Sequence, residues 1–241
     1  MDVTSAYAVL SLFGPNARPI LQEITGDDIS NDALPFGAAK TIGIAGCPVR
    51  VLRVSYVGEL GWELHLPVEY AVTVYEAIHR AGAAHGLRNA GYRAIETLRL
   101  EKGYRAWSAD IGPDHTPFES GLGFAVKLDT NLAFKGRDAV AAQASVGVKK
   151  RMTIFTTEPD VILLGRETIY RNGARVGWLS SAGFGHSIGK SIGMGFVRSK
   201  QVIDRDFILS GTYELEVASQ RVPCQAQLSP LYDPKMLKVK G

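Results

Sequence analysis

The chain has 241 residues, 46% of them hydrophobic and 21% charged, enough to bury a core within one or two globular domains. Its 27 basic and 24 acidic residues give a formal charge of +3, too balanced to attract a polyanion by net field, although one or two placed arginines would suffice for a small anion. Cys47 and Cys224 are the only cysteines and lie far apart, which argues against a disulfide scaffold or a zinc cluster, suits a reducing compartment and leaves no metal site to expect.

The opening MDVTSAYAVLSLFG lacks a basic segment followed by a long apolar one, and no run approaches a membrane span in length. A chain without a sorting signal or a membrane segment is expected. Ala6 to Phe13 reads as a strand that stops at Gly14-Pro15, and Ala17, Ile20, Leu21 and Ile24 then fall at the spacing of a short helix. AAKTIGIAG and CPVRVLRVSYVG form two β-rich runs divided by Gly46, Cys47 and Pro48, a hairpin pattern, and GWELHL alternates as a third strand. Ala71, Val74, Tyr75, Ile78 and Ala81 make one helical stripe that ends near Gly82 and Gly86. NAGYRAIETLRLEKG predicts a second helix with Asn89 as its N-cap and Gly103 as its stop. Such a mixture indicates an α+β layer rather than a regularly alternating parallel sheet.

Pro113 and Pro117 then enforce a loop, and FKGRDAVAAQ supplies one more short helix. Beyond Gly147 the pattern changes to short β-rich runs separated by Asn, Gly and Pro, with Asn172-Gly173 as a two-residue hairpin signal. Residues 148–241 are therefore expected to form a separate antiparallel β-barrel or sandwich, and residues 1–147 the α+β domain. The glycine-rich GFGHSIGKSIGMG lies between predicted strands with no helix to offer an anion-binding N-terminus, and it is expected to be a loop of tight turns.

The chain lacks both the dinucleotide fingerprint and the GxxxxGK[ST] loop. Its five histidines show no HExxH spacing and no Gly-x-Ser-x-Gly elbow, which makes zinc and hydrolytic-triad chemistry poor candidates and leaves His115, in its proline-bounded loop, as the histidine to watch. Glu96 follows Arg93 at i+3, where a surface pair is the plain reading; the sharper one has Arg93 facing the same crevice as Glu63. Tyr56, Tyr104 and Trp107 sit beside glycines and polar groups, a mixture that suits packing and also suits stacking on a flat heteroaromatic ring whose paired N–H groups a carboxylate could accept.

YVGELGWELHLP, NAGYRAIETLRLEKGYRAWSADI, TPFESGLGFAVKL and FKGRDAV, in that order, resemble the aminomethyltransferase (glycine cleavage T-protein) superfamily, most of all the folate-binding C-terminal half of sarcosine and dimethylglycine dehydrogenases. GARVGWLSSAGFGHSIGKSIGMGFV is similar to part of the family's C-terminal barrel. The resemblance implies a partial ferredoxin-like folate-binding domain followed by an antiparallel β-barrel, with tetrahydrofolate as cofactor. It implies folate contacts at Tyr56 and Glu63, a role for Arg93 at the start of the following helix, and a cavity aromatic at Trp107. The chemistry agrees, since a 2-amino-4-oxo-pterin presents adjacent N–H donors that an ionised carboxylate accepts as a fork.

The family's aspartate near the reacting folate amine lies upstream of DVTSAYAVL, and Asp2 does not replace it, so no catalytic residue is assigned in this chain. An FAD-binding oxidase half is not present in it either. The expected activity is transfer of a one-carbon unit from a small methylamine-type donor to tetrahydrofolate, giving 5,10-methylene-tetrahydrofolate, in a complete protein that includes or partners an FAD-dependent oxidase. Alternatives are a non-catalytic regulatory or interaction module of the same fold and a folate-dependent demethylase with another donor. Neither nucleic acid nor membrane is an expected partner, and the expected location is the cytoplasm, or the mitochondrial matrix in a eukaryote.

Overall fold

In the computed structural model, which describes residues 1–241, the chain divides into two compact units: Met1–Ile95 with Asp233–Gly241, and Glu96–Tyr232. The first unit is built on a four-stranded antiparallel sheet of β1 (Tyr7–Phe13), β2 (Ala39–Ile44), β3 (Cys47–Leu52) and β4 (Gly61–Pro67), in the order β1-β4-β3-β2. Each strand has one apolar face. Leu12, Ile42, Ile44, Val49, Val51, Trp62, Leu64 and Leu66 point to that face and form one core with Ile20 and Leu21 of α1 (Ala17–Gln22) and Val74 and Ile78 of α2 (Ala71–Gly82). The period of two along each strand turns the alternate residues away from the helices, so Tyr7, Val9 and Ser11 are exposed on the opposite face.

The expected β2–β3 hairpin is present, but its turn is Ala45-Gly46, with φ of 50° and 78°, and Cys47 and Pro48 lie inside β3. Pro48 costs no ladder bond to β4 because that pairing begins only at Arg50. The helix α3 (Tyr92–Glu101) starts three residues after the expected cap. Asn89 instead donates to the Tyr75 hydroxyl at 2.7 Å and meets His79 Nε2 at 2.9 Å, a polar link to α2 that replaces capping. Gly103 stops α3 as expected, with φ of 65°.

The second unit contains α4 (Arg137–Val146) and a closed six-stranded antiparallel barrel made of β5 (Lys150–Thr157), β6 (Thr168–Arg171), β7 (Ala174–Gly185), β8 (Lys190–Arg198), β9 (Tyr213–Val217) and β10 (Gln220–Gln227). A short helix, α5 (Arg205–Leu209), precedes β9 and is capped by Asp204, whose carboxylate accepts from the Phe207 amide. Phe155, Ile169, Leu179, Val197, Tyr213 and Leu215 form one core cluster, together with Ile208 of α5. The apolar runs of β5 and β8 are explained by burial on both faces: Met152, Ile154, Ile192, Met194 and Phe196 form a second cluster with Leu100 of α3.

The Asn172-Gly173 signal holds, with φ of 51° and 78° between β6 and β7. The expected loop at GFGHSIGKSIGMG is overturned. β7 continues to Gly185 and β8 begins at Lys190, so only residues 186–189 form the connection. Gly189, with φ of 64°, turns in that connection, whereas Gly195 serves close approach within the barrel: a Cβ on it would lie 2.3 Å from the Trp178 carbonyl oxygen. Gly195→Ala is accordingly expected to destabilise the second unit by about 1–3 kcal/mol, read as a lower denaturation midpoint by near-ultraviolet circular dichroism.

Candidate functional site

Glu63 owes its direction to its neighbours. Trp62 is 0% exposed and Leu64 is buried, so the strand must turn Glu63 to the sheet face away from the helices, between Ser11 of β1 and Leu52 of β3. Its side chain is 37% exposed, and Oε2 lies 3.4 Å from Nε2 of His65, the next residue on that face. The result is a carboxylate that keeps acceptor capacity for an incoming N–H pair. Sequence reasoning missed His65, although the strand period places i and i+2 together.

Tyr56 is half-buried in the irregular segment between β3 and β4, where Gly58 supplies a φ of 81°. At the start of that segment Arg53 is buried. Its guanidinium donates to Asn31 Oδ1 at 2.5 Å and to the Leu34 carbonyl at 3.0 Å. Arg18 donates to the same Asn31 oxygen at 2.7 Å, and the two guanidinium carbons lie 5.6 Å (Arg18) and 5.9 Å (Arg53) from the Trp62 ring centroid. Burial, and then the Arg18 charge, push the Arg53 guanidinium below the ordinary arginine range. These contacts tie the base of the Tyr56 segment to the residue next to Glu63.

Arg93, second in α3, is exposed. The surface pair expected between it and Glu96 is not the one formed: Glu96 Oε2 accepts from Arg99 Nη2 at 2.8 Å. The i+3 spacing is the same from Glu96 to Arg99, and Arg99 is the arginine that the fold buries.

In the second unit Arg99 and Asp110 form a fully buried ion pair at 2.5 Å. Arg99 also donates to the Tyr104 carbonyl at 3.1 Å and to Ser181 Oγ at 2.8 Å, while Asp110 accepts from Ser180 Oγ at 2.5 Å and from the Ala106 amide at 2.9 Å. Burial works to lower the Arg99 guanidinium, but Asp110 and Glu96 outweigh it and hold the group above the ordinary arginine range. The network closes the 104–111 segment into a loop that presents Trp107, which is 67% exposed. Trp107 borders a cavity of about 260 Å³ whose wall includes Ile111, His115, Pro117 and Leu122, a mainly apolar surface. His115 stacks on Phe196 with ring centroids 4.5 Å apart and its Nδ1 accepts from the Gly112 amide, which gives this histidine a packing role.

No sequence spacing announced Asp110 as the partner of Arg99, because the two are joined through a loop. The structure thus brings Tyr56, Glu63 and Arg93 into the first unit and Trp107 into the second. Among the described residues no group of three or more His, Cys, Asp or Glu could hold a metal ion, and no helix is long and apolar enough to cross a membrane.

Residues 1–130 match the GCVT N-terminal domain, and residues 149–233 match the glycine cleavage T-protein C-terminal barrel domain. The chain is 45% identical over its full length to human mitochondrial sarcosine dehydrogenase, covering 26% of that protein. It is 35% identical over 95% of its length to the mitochondrial pyruvate dehydrogenase phosphatase regulatory subunit of Mus musculus, covering 28% of it. The chain thus spans about a quarter of the length of these relatives. The glycine cleavage system aminomethyltransferase T from Bartonella henselae has the same fold, with a TM-score of 0.78 and 23% identity over 95% of this chain and 60% of that one.

Asp110→Asn removes one charge of the buried pair and keeps the side-chain shape. It is expected to destabilise the second unit by about 3–5 kcal/mol, measured as the fall in urea midpoint against the parent chain.

Proposed function

We propose, for a chain that belongs to the glycine cleavage T-protein (GCVT) aminomethyltransferase family, that it is the tetrahydrofolate-binding part of a protein that passes a one-carbon unit to tetrahydrofolate. The product would be 5,10-methylene-tetrahydrofolate, the donor a small methylamine of the sarcosine or dimethylglycine type, and the supplier an FAD-dependent oxidase domain or subunit. The likeness to sarcosine dehydrogenase over the whole chain supports this reading. In a eukaryote the protein would work in the mitochondrial matrix, and in a bacterium in the cytoplasm. We take residues 1–147 as the folate-binding domain and residues 148–241 as the barrel domain.

The observation that carries the proposal is the Glu63 carboxylate, held on the outer sheet face by a buried Trp62 and left partly open to solvent. A carboxylate so held fits the paired N–H donors of a pterin, and the half-buried ring of Tyr56 suits contact with the flat heterocycle. Arg93, exposed on α3, would meet a ligand carboxylate or carbonyl. Trp107 is assigned separately, as a stacking face for an aromatic ring. These residues bind and orient. Catalysis in such a protein would rest on holding two reactants at attack distance, and no residue of this chain is assigned a chemical step.

The 35% identity to a phosphatase regulatory subunit supports a second reading, a non-catalytic module that keeps the fold. The two readings part on folate. Glu63→Ala is expected to weaken tetrahydrofolate binding to the complete protein at least tenfold, the loss of a charged hydrogen bond worth about 1.5–3 kcal/mol. Titration calorimetry showing unchanged affinity would sink the assignment of Glu63, and no binding by the parent protein would favour the regulatory module.

A further inference from the structure

Residues Asp233–Gly241 belong to the first unit although they follow the whole barrel in sequence. The short helix α6 (Leu237–Lys240) is anchored by Asp233, whose carboxylate accepts from the Leu237 amide at 2.7 Å and the Lys238 amide at 3.2 Å. Val239 is 1% exposed. The Lys240 carbonyl accepts from Arg53 Nη2 at 2.5 Å, and Asn31 Nδ2 donates to the Gly241 carbonyl. Lys238 Nζ lies 3.9 Å from Glu59 Oε1, and Gly241 is so close to Leu60 that a Cβ there would lie 2.1 Å from Leu60 Cδ1.

These contacts have a pattern. The tail grips the segment between β3 and β4 at both of its ends, Arg53 on one side and Glu59-Leu60 on the other, and Tyr56 lies between them. The segment has no regular secondary structure of its own. Backbone bonds hold Arg53 to Gly37 and Ala38 and Leu60 to Gly14, and between these ends side-chain and tail contacts add to its order; a buried guanidinium that lost the Lys240 carbonyl would draw water toward the base of the segment.

We propose that residues 233–241 act as a strap that positions the Arg53–Leu60 segment, and through it Tyr56, for ligand binding. The strap makes residues near the end of the chain a determinant of affinity without their touching the ligand, a supporting contact of the kind that keeps a binding residue within a fraction of an ångström of its working place. It also gives Glu59 a role distinct from that of Glu63: Glu59, 20% exposed at its side chain, belongs to the strap contact. The consequence for affinity rests on the folate reading, whereas the ordering of the segment does not.

The test uses the full chain with Val239→Asp, which places a carboxylate in the buried seat of the tail. Hydrogen exchange followed by mass spectrometry is expected to show at least tenfold faster exchange at residues 54–60 with β2, β3 and β4 still protected, and calorimetry about tenfold weaker tetrahydrofolate binding. Unchanged exchange at 54–60 with the tail itself released would overturn the strap, as would equal loss of protection through the whole sheet, which would make the tail an ordinary part of the core. Unchanged tetrahydrofolate affinity alongside a loosened segment would overturn its positioning role. A parent chain that binds no tetrahydrofolate sinks the folate reading instead, and the exchange data still decide the strap. Should Val239→Asp fail to fold, Lys238→Glu takes its place: exchange at 54–60 should rise severalfold and return to the parent rate when Glu59→Lys is added, and no change in either variant would overturn the proposal.

Discussion

The period of two along β4 is the constraint on which the first unit depends. With Trp62, Leu64 and Leu66 committed to the core, Glu63 and His65 have only the other face to occupy. A slip of one residue would bury two ionisable side chains and expose an indole, so the register is defended by the core itself. The pairing of β4 with both β1 and β3 holds this arrangement in place from either side. A carboxylate placed this way needs no dedicated scaffold, because its direction is a by-product of packing the residue before it.

The second unit solves a different problem. Its strands β5 and β8 are buried on both faces, one side joining a core cluster with Phe155 and the other meeting Leu100 of α3. At that junction the structure buries Arg99 and Asp110 together, with Glu96, Ser180, Ser181 and two backbone groups taking up their remaining hydrogen-bonding capacity. Such a pair adds little to stability over an apolar substitute, yet either charge alone would be costly, so it selects one conformation of the 104–111 loop. Glu101 adds a second polar link in the same unit, its Oε1 accepting from the Ser187 and Ile188 amides at 2.6 Å and 3.2 Å in the β7–β8 connection.

In the proposed reading both units serve recognition. The chain's small net charge fits that role, because the relevant groups act singly and at short range: one carboxylate with open acceptor positions, one exposed arginine and one exposed indole. The half-exposed state of Glu63 matters to its chemistry. A ligand that covered it would exchange its waters for paired N–H donors in a drier setting, where such hydrogen bonds are stronger.

Local pattern was enough to read much of this chain. Alternation in GWELHL, the stripe of α2, the Asn172-Gly173 turn and the shift beyond Gly147 are each written within a few neighbouring residues, and together with the ordered motifs they identified an α+β layer, a β-barrel and the aminomethyltransferase family. The errors arose where a residue's meaning depends on a distant partner. Asn89 looked like a cap until Tyr75 and His79 met it, and glycines that read as turns proved to be places where β7 and β8 come close. Glu96 had two arginines within helical reach, and only burial chose Arg99. By itself the sequence determined which faces are apolar and that Asn172-Gly173 is a turn, because those are properties of adjacent residues. The tertiary structure decided which charges are buried together and that residues 233–241 return to the first unit, because hydrogen bonds and ion pairs join groups that no spacing rule connects.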